Sequence, residues 1–137
     1  MGGAVMIRVE APTHTVFIYV GGAVSDAQRI CRRFCEVGLC VTVEPVEFIY
    51  TRGQESGVRV GLINYPRFPA EPAAIFAKAE ALALELIEGL YQSSASIVAT
   101  DKTVWLSRRE EATPALETGS PGIFACENEL KQDNPNG

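Results

Sequence analysis

Arg67 stands between two prolines and two aromatic rings in the run Asn64-Tyr65-Pro66-Arg67-Phe68-Pro69. Each proline fixes its own φ, and the residue ahead of each, Tyr65 and Phe68, is pushed toward extended backbone. The loop is therefore stiff, and a stiff loop loses less freedom when a ligand arrives. The Arg67 guanidinium could pair with a phosphate or carboxylate through two parallel hydrogen bonds, while Tyr65 or Phe68 stacks on a planar base. Pro72 suits the first turn of a helix just downstream, and the amino end of that helix favours negative charge. The expected ligand site is thus Asn64, Tyr65, Arg67 and Phe68, with His14, Lys102 and Asp101 brought to the same end by the topology derived below. The competing reading has the rings plugging the end of the sheet and Arg67 bonded to an internal neighbour.

A second candidate anion site lies in Tyr19-Val20-Gly21-Gly22-Ala23-Val24-Ser25, where a strand meets two glycines and then a helix. Glycines let backbone N–H groups approach an anion closely, and the helix amino terminus adds partial positive charge. Ser25, with Gln28 three residues on, matches a capping box. Arg52, in a hairpin at this end, is the natural cationic partner for Gly21, Gly22 and Ser25. The spacing is neither a GxGxxG nor a Walker loop, so an ordinary tight turn is the competing reading and no cofactor is expected.

Other reactive side chains point to structure more than to chemistry. Cys31 and Cys35 are four apart on a helix with Cys40 just beyond, but they share an apolar stripe with Ile30 and Phe34, and no CxxC pair or second histidine completes a zinc set. No metal is expected. His14 is the single histidine, so the paired H-x-T pattern of two-histidine phosphoesterases is half missing. Glu44 and Glu47 flank Pro45 on a strand and read as solubilising side chains rather than a general acid and base. Arg29, Arg32 and Arg33 form the charged side of a helix. No residue is assigned a catalytic role, and the inventory leans against catalysis.

The elements that must position these residues follow from periodicity. His14–Val20 reads as a strand ending at Gly21-Gly22. Ala27, Ile30, Cys31, Phe34 and Cys35 mark a helix that stops at Gly38. Leu39–Tyr50 reads as a second strand whose inward parity changes at Glu44-Pro45, which predicts a bulge or bend. The run 51–57 reads as a turn before a third strand, Val58–Asn64. From Pro72 onward, Ile75, Ala79, Leu82, Leu86 and Leu90 mark one helix face to about Gln92. Two short strands around Asp101-Lys102 close the chain, and residues 1–12 could add another.

The order β-α-β-β-α-β-β predicts an α+β two-layer sandwich of the ferredoxin-like kind, with a C-terminal strand added and both helices on one face of a mainly antiparallel sheet. A right-handed crossover makes the first two strands parallel and the third antiparallel between them, so the Gly21-Gly22 turn and the proline loop fall at opposite ends. One domain is expected over residues 1–107. Residues 108–137, with six acids and three bases, read as an acidic, disordered tail.

Of 137 residues, 47% are apolar and 21% charged, enough for a real core. The net charge of −5 falls to about −2 once the tail is set aside, which argues against nucleic acid but leaves room for a local anion site. No stretch reaches the roughly 18 apolar residues of a membrane span, and no secretory signal is read at the amino end. A cytoplasmic protein with reduced thiols is expected. The function expected is non-enzymatic binding of a small anionic ligand of nucleotide type, by a homo-oligomer that senses the ligand or sequesters it as virus-encoded signal sponges do. The alternatives are a protein-interaction module or inhibitor using the Tyr-Pro-Arg-Phe-Pro loop, and a small enzyme using His14.

Overall fold

Val16, Ile18 and Val20 are buried while the residues between them are not, and this alternation defines β1 (Thr15–Gly21). The chain turns at Gly22, whose φ of 127° suits a residue without a Cβ, and enters α1 (Val24–Phe34). Ala23, in extended conformation, is the residue ahead of the helix, and no side chain caps it. The expected capping box is thus corrected: Ser25 lies inside the first turn. A short 3-10 turn follows and ends at Gly38, with φ of 107°.

β2 (Thr42–Tyr50) and β3 (Gly53–Ile63) form one long hairpin around Thr51 and Arg52, the latter at φ 66°. Two expectations are revised here. The polar run Gln54-Glu55-Ser56-Gly57 belongs to β3, because each residue is paired with β2. There is also no bulge at Pro45: the register runs unbroken from Thr42↔Gly61 through Pro45↔Val58 to Tyr50↔Gly53. Pro45 is tolerated because β2 lies at the sheet edge, where a missing N–H donor costs no ladder bond. The apolar residues on the second parity, Val46, Phe48 and Tyr50, face away from the helices.

α2 (Pro72–Gly89) starts at the expected proline and buries Ile75, Ala79, Leu82, Ala83, Leu86 and Ile87. β4 (Ser94–Ala99) and β5 (Thr103–Ser107) complete an antiparallel sheet of order β2-β3-β1-β4-β5. The computed structural model describes residues 5–109. No strand forms over residues 5–12, where the sequence left one possible, residues 1–4 lie outside the described residues, and so does the predicted tail except for Arg108 and Arg109.

Both helices cover one face, where Val16, Ile18, Val20, Val58, Val60, Leu62, Ala95 and Ile97 meet Ala27, Ile30, Leu82 and Leu86. The result is the α+β two-layer architecture read from the sequence. The other face is uncovered and carries Phe17, Tyr19, Val46, Phe48, Arg59 and Trp105, as the pairings Phe17↔Gly61, Tyr19↔Arg59 and Ser96↔Trp105 require. Among the described residues no helix is long and apolar enough to cross a membrane.

Candidate functional site

Strand direction brings one set of loops together. The start of β1, the ends of β3 and β4 and the starts of β2 and β5 share one end of the sheet, so His14, Asn64–Pro69 and Asp101-Lys102 all lie there. Asn64 is buried at 8% exposure and organises this end. Its Nδ2 donates to the Pro12 carbonyl at 2.8 Å, its Oδ1 accepts from the Ala70 N–H at 2.8 Å, and its own N–H donates to the His14 carbonyl at 3.0 Å. The side-chain amide is engaged at both ends, so Asn64 acts as a staple that positions the loop.

The loop itself is a tight turn in which the Phe68 N–H donates to the Tyr65 carbonyl at 2.8 Å. Its two aromatic rings part company. Tyr65 is half-buried and its hydroxyl hydrogen-bonds with the Cys40 side chain; that bond, with burial, pushes the phenol up to about 12. Phe68 is 75% exposed, and the Arg67 guanidinium lies 5.6 Å from its ring centroid. Arg67 is exposed and makes no ion pair among the described residues. Lys102 is held elsewhere, its Nζ 4.3 Å from the Phe76 ring on α2. The structure thus joins Arg67 to Phe68, Tyr65 to Cys40, and Lys102 to Phe76, as three separate contacts.

Arg59 supplies a useful contrast. It sits at the centre of the uncovered face, 4.4 Å from the Phe17 ring, with Nε and Nη2 at 2.8 and 2.7 Å from Glu44 Oε1. Bonds to Tyr19 and Glu44 raise its pKa. Glu44, read from sequence as a solubilising acid, is therefore the partner of Arg59. That cross-strand pair, Glu44↔Arg59, could be found only once the register was known.

At the opposite end, the second candidate site is rearranged. A Cβ on Gly21 would lie against Glu55 Oε2 and 2.8 Å from Gln92 Oε1, so a carboxyl group stands where an anion was expected. Arg52, in the turn ahead of β3, is five residues from Gly57, the partner of Gly21, which is roughly 16 Å of extended chain. Ser25 faces no cap role. These residues do not converge on an anion. Glu55 was missed because its place in a strand was not read; desolvation of its carboxyl raises its pKa although the residue as a whole is exposed.

Among the described cysteines, Cys31 packs in the core as expected, whereas Cys35 is half-buried and Cys40 is exposed. Cys31 is buried, and burial first, then the neighbouring Cys35, pushes its thiol up to about 11. Burial and Cys40 likewise raise Cys35. Thiols held protonated are poor nucleophiles and poor metal ligands, and no group of three metal-binding side chains occurs among the described residues. Shallow apolar grooves occur between α1 and α2, lined by Phe34, Val37, Leu39 and Ala81, and beside Leu84 and Leu106. Neither includes a residue nominated from the sequence.

Asn64→Ala leaves the Pro12 carbonyl and the Ala70 N–H without their partner and is expected to cost about 2 kcal/mol in urea unfolding. Tyr65 should give an ultraviolet titration step near pH 12 that vanishes in Tyr65→Phe. Because the folded pKa lies above the unfolded value, the stabilisation from this phenol is complete below about pH 10 and is lost as pH rises through about 12.

No protein-family model matches the chain, and no curated protein sequence does. Solved structures of similar fold are known. A phage SAM lyase in the apo state superposes with a TM-score of 0.58 at 18% identity, over 76% of this chain and 96% of that one. The phage SAM lyase in complex with S-methyl-5'-thioadenosine gives 0.53 at 16% identity, with the same coverage. CutA from Synechococcus elongatus gives 0.39 at 14% identity, over 73% of this chain and 80% of that one. At these identities the likeness to the two lyase structures is one of fold.

Proposed function

We propose that this protein binds a small anionic ligand of nucleotide type, without turning it over, at the Arg67–Phe68 turn. The observation that carries the reading is the state of Arg67: an exposed guanidinium without an ion pair among the described residues, beside an exposed ring, on a turn pinned by a buried asparagine. Arg59 shows the alternative fate of a guanidinium in this fold, engaged by a carboxylate. An unpaired guanidinium keeps its hydrogen-bonding edge for an incoming phosphate or carboxylate, and the Phe68 face suits a purine or pyrimidine. The fold likeness to a phage SAM lyase solved in complex with S-methyl-5'-thioadenosine supports an adenine nucleoside as the planar part. Sensing and sequestration both require only this binding step.

The thermal-shift response to adenine nucleotides and nucleosides tests the proposal. A ligand at a hundred times its Kd should add about 2.7 kcal/mol, a rise of several degrees. Arg67→Ala should abolish the response while unfolding stays cooperative; an undiminished response would place the site elsewhere. Phe68, at 75% exposure, equally suits a protein contact. Absence of any nucleotide response, together with capture of a partner lost in Phe68→Ala, would move the assignment to that reading.

Self-association is part of the same proposal. The outer edges of β2 and β5 are unpaired, and Ile49, Tyr50 and Trp105 are 78%, 41% and 47% exposed. Light scattering should give a mass that is a multiple of 14.8 kDa, and a strictly monomeric mass would remove this element.

A further inference from the structure

α2 is apolar on both of its sides. A helix that covers a sheet ordinarily carries polar residues on its outer face, yet Ala74, Ala77, Ala81 and Leu84 recur there at spacings of three and four, all exposed. Leu84 is 56% exposed. Beside this seam lies the groove between the helices, of about 390 Å³, with Phe34, Val37 and Leu39 along one wall and Ala74, Ala77 and Ala81 along the other. Val37 at its rim is 86% exposed. The outer face of α2 thus combines a projecting leucine with a hollow floored by alanine.

Two exposed charges flank the seam. Lys78 follows Ala77 and Glu85 follows Leu84, so both stand on one side of it, two turns apart. About 10 Å of helix separates them, too far for a pair within one chain, and neither makes an ion pair among the described residues. Laid antiparallel on a second α2, the seam sets Ala81 opposite the copy's Leu84 and Lys78 opposite the copy's Glu85. A two-fold axis repeats each contact, so both charges of both chains are matched. A parallel alignment would instead bring Glu85 against the copy's Glu80 across the seam. A partner carrying one sign of charge along its length would meet a like charge at Lys78 or at Glu85. The pattern is complementary to itself.

We infer that the outer face of α2 is a two-fold interface with a second copy of this chain, antiparallel, with Leu84 of each copy over the Ala77–Ala81 floor of the other and Lys78 paired with Glu85. The seam from Ala74 to Leu84 is about 15 Å long. A contact of that size gives a reversible, concentration-dependent dimer rather than a permanent one. The interface lies on the helix layer, apart from the unpaired edges of β2 and β5, and it does not rest on ligand binding at Arg67.

The experiment is sedimentation velocity of the full chain over a concentration series, on the unaltered protein, Leu84→Glu, Lys78→Glu, Glu85→Lys and an equimolar mixture of the last two. The unaltered chain should dimerise reversibly. Leu84→Glu should weaken the dimer at least about a hundredfold, since two leucines lose their cover, and each charge reversal about tenfold. Mixing the two reversals should restore association, because every charged contact across the pair again joins opposite signs. All three side chains are exposed, so the circular dichroism of each variant should match that of the unaltered chain. A monomer at every concentration, or a mixture that associates no better than its components, would overturn the assignment. So would undiminished assembly of Leu84→Glu, which would place self-association at the sheet edges instead.

Discussion

Antiparallel pairing of β1 with β3 in a single register is the constraint on which the other features rest. It sets Val16 opposite Leu62, Ile18 opposite Val60 and Val20 opposite Val58, and all six are buried beneath the helices. Because side chains alternate along a strand, a slip of β1 by one residue would turn Val16, Ile18 and Val20 toward water and bring Phe17 and Tyr19 under the helices. A slip of β3 instead would turn Val58, Val60 and Leu62 outward and carry the charged Arg59 under the helices. The same pairing brings Gly21 opposite Gly57 and Asn64 next to His14, which determines the two ends of the molecule.

Those ends differ in chemistry because they are built differently. At one, a buried amide spends its hydrogen bonds on Pro12 and Ala70, and the turn it anchors presents Arg67 and Phe68 to water. At the other, the Glu55 carboxyl and the Gln92 carboxamide pack over Gly21 and the Phe48 ring over Gly57. Among the described residues neither Arg67 at the first end nor Glu55 at the second makes an ion pair. With β1 and β3 between them, the two cannot form one pocket within a single subunit.

Much of the element order could be read directly. The α2 face was explicit in Ile75, Ala79, Leu82 and Leu86, since a spacing of three and four leaves few alternatives, and Pro72 marked its start. The β2–β3 hairpin was harder. Gln54-Glu55-Ser56-Gly57 has the composition of a turn, and it is a strand only because β2 supplies a partner for each residue. The parity change at Pro45 suggested a bulge, yet an edge position absorbs the proline and lets Val46 and Phe48 face outward. Ser25 looked like a cap, but the helix begins one residue before it. In each case a tertiary neighbour outweighed a local preference.

By itself the sequence determined the secondary-structure order, the two-layer class and the stiffness of the loop around Arg67, because those follow from periodicity and from proline's fixed dihedral. Which guanidinium is engaged by a carboxylate was decided by the folded chain: Arg59 meets Glu44 across a strand pair fifteen residues apart, whereas Arg67 lies beside the Phe68 ring with no ion pair among the described residues. The fold likewise turned Tyr65 inward to Cys40 and left Phe68 outside, and it laid Glu55 and Gln92 over the same glycine. Proximity between residues distant along the chain is a property of register and packing, and no local pattern encodes it.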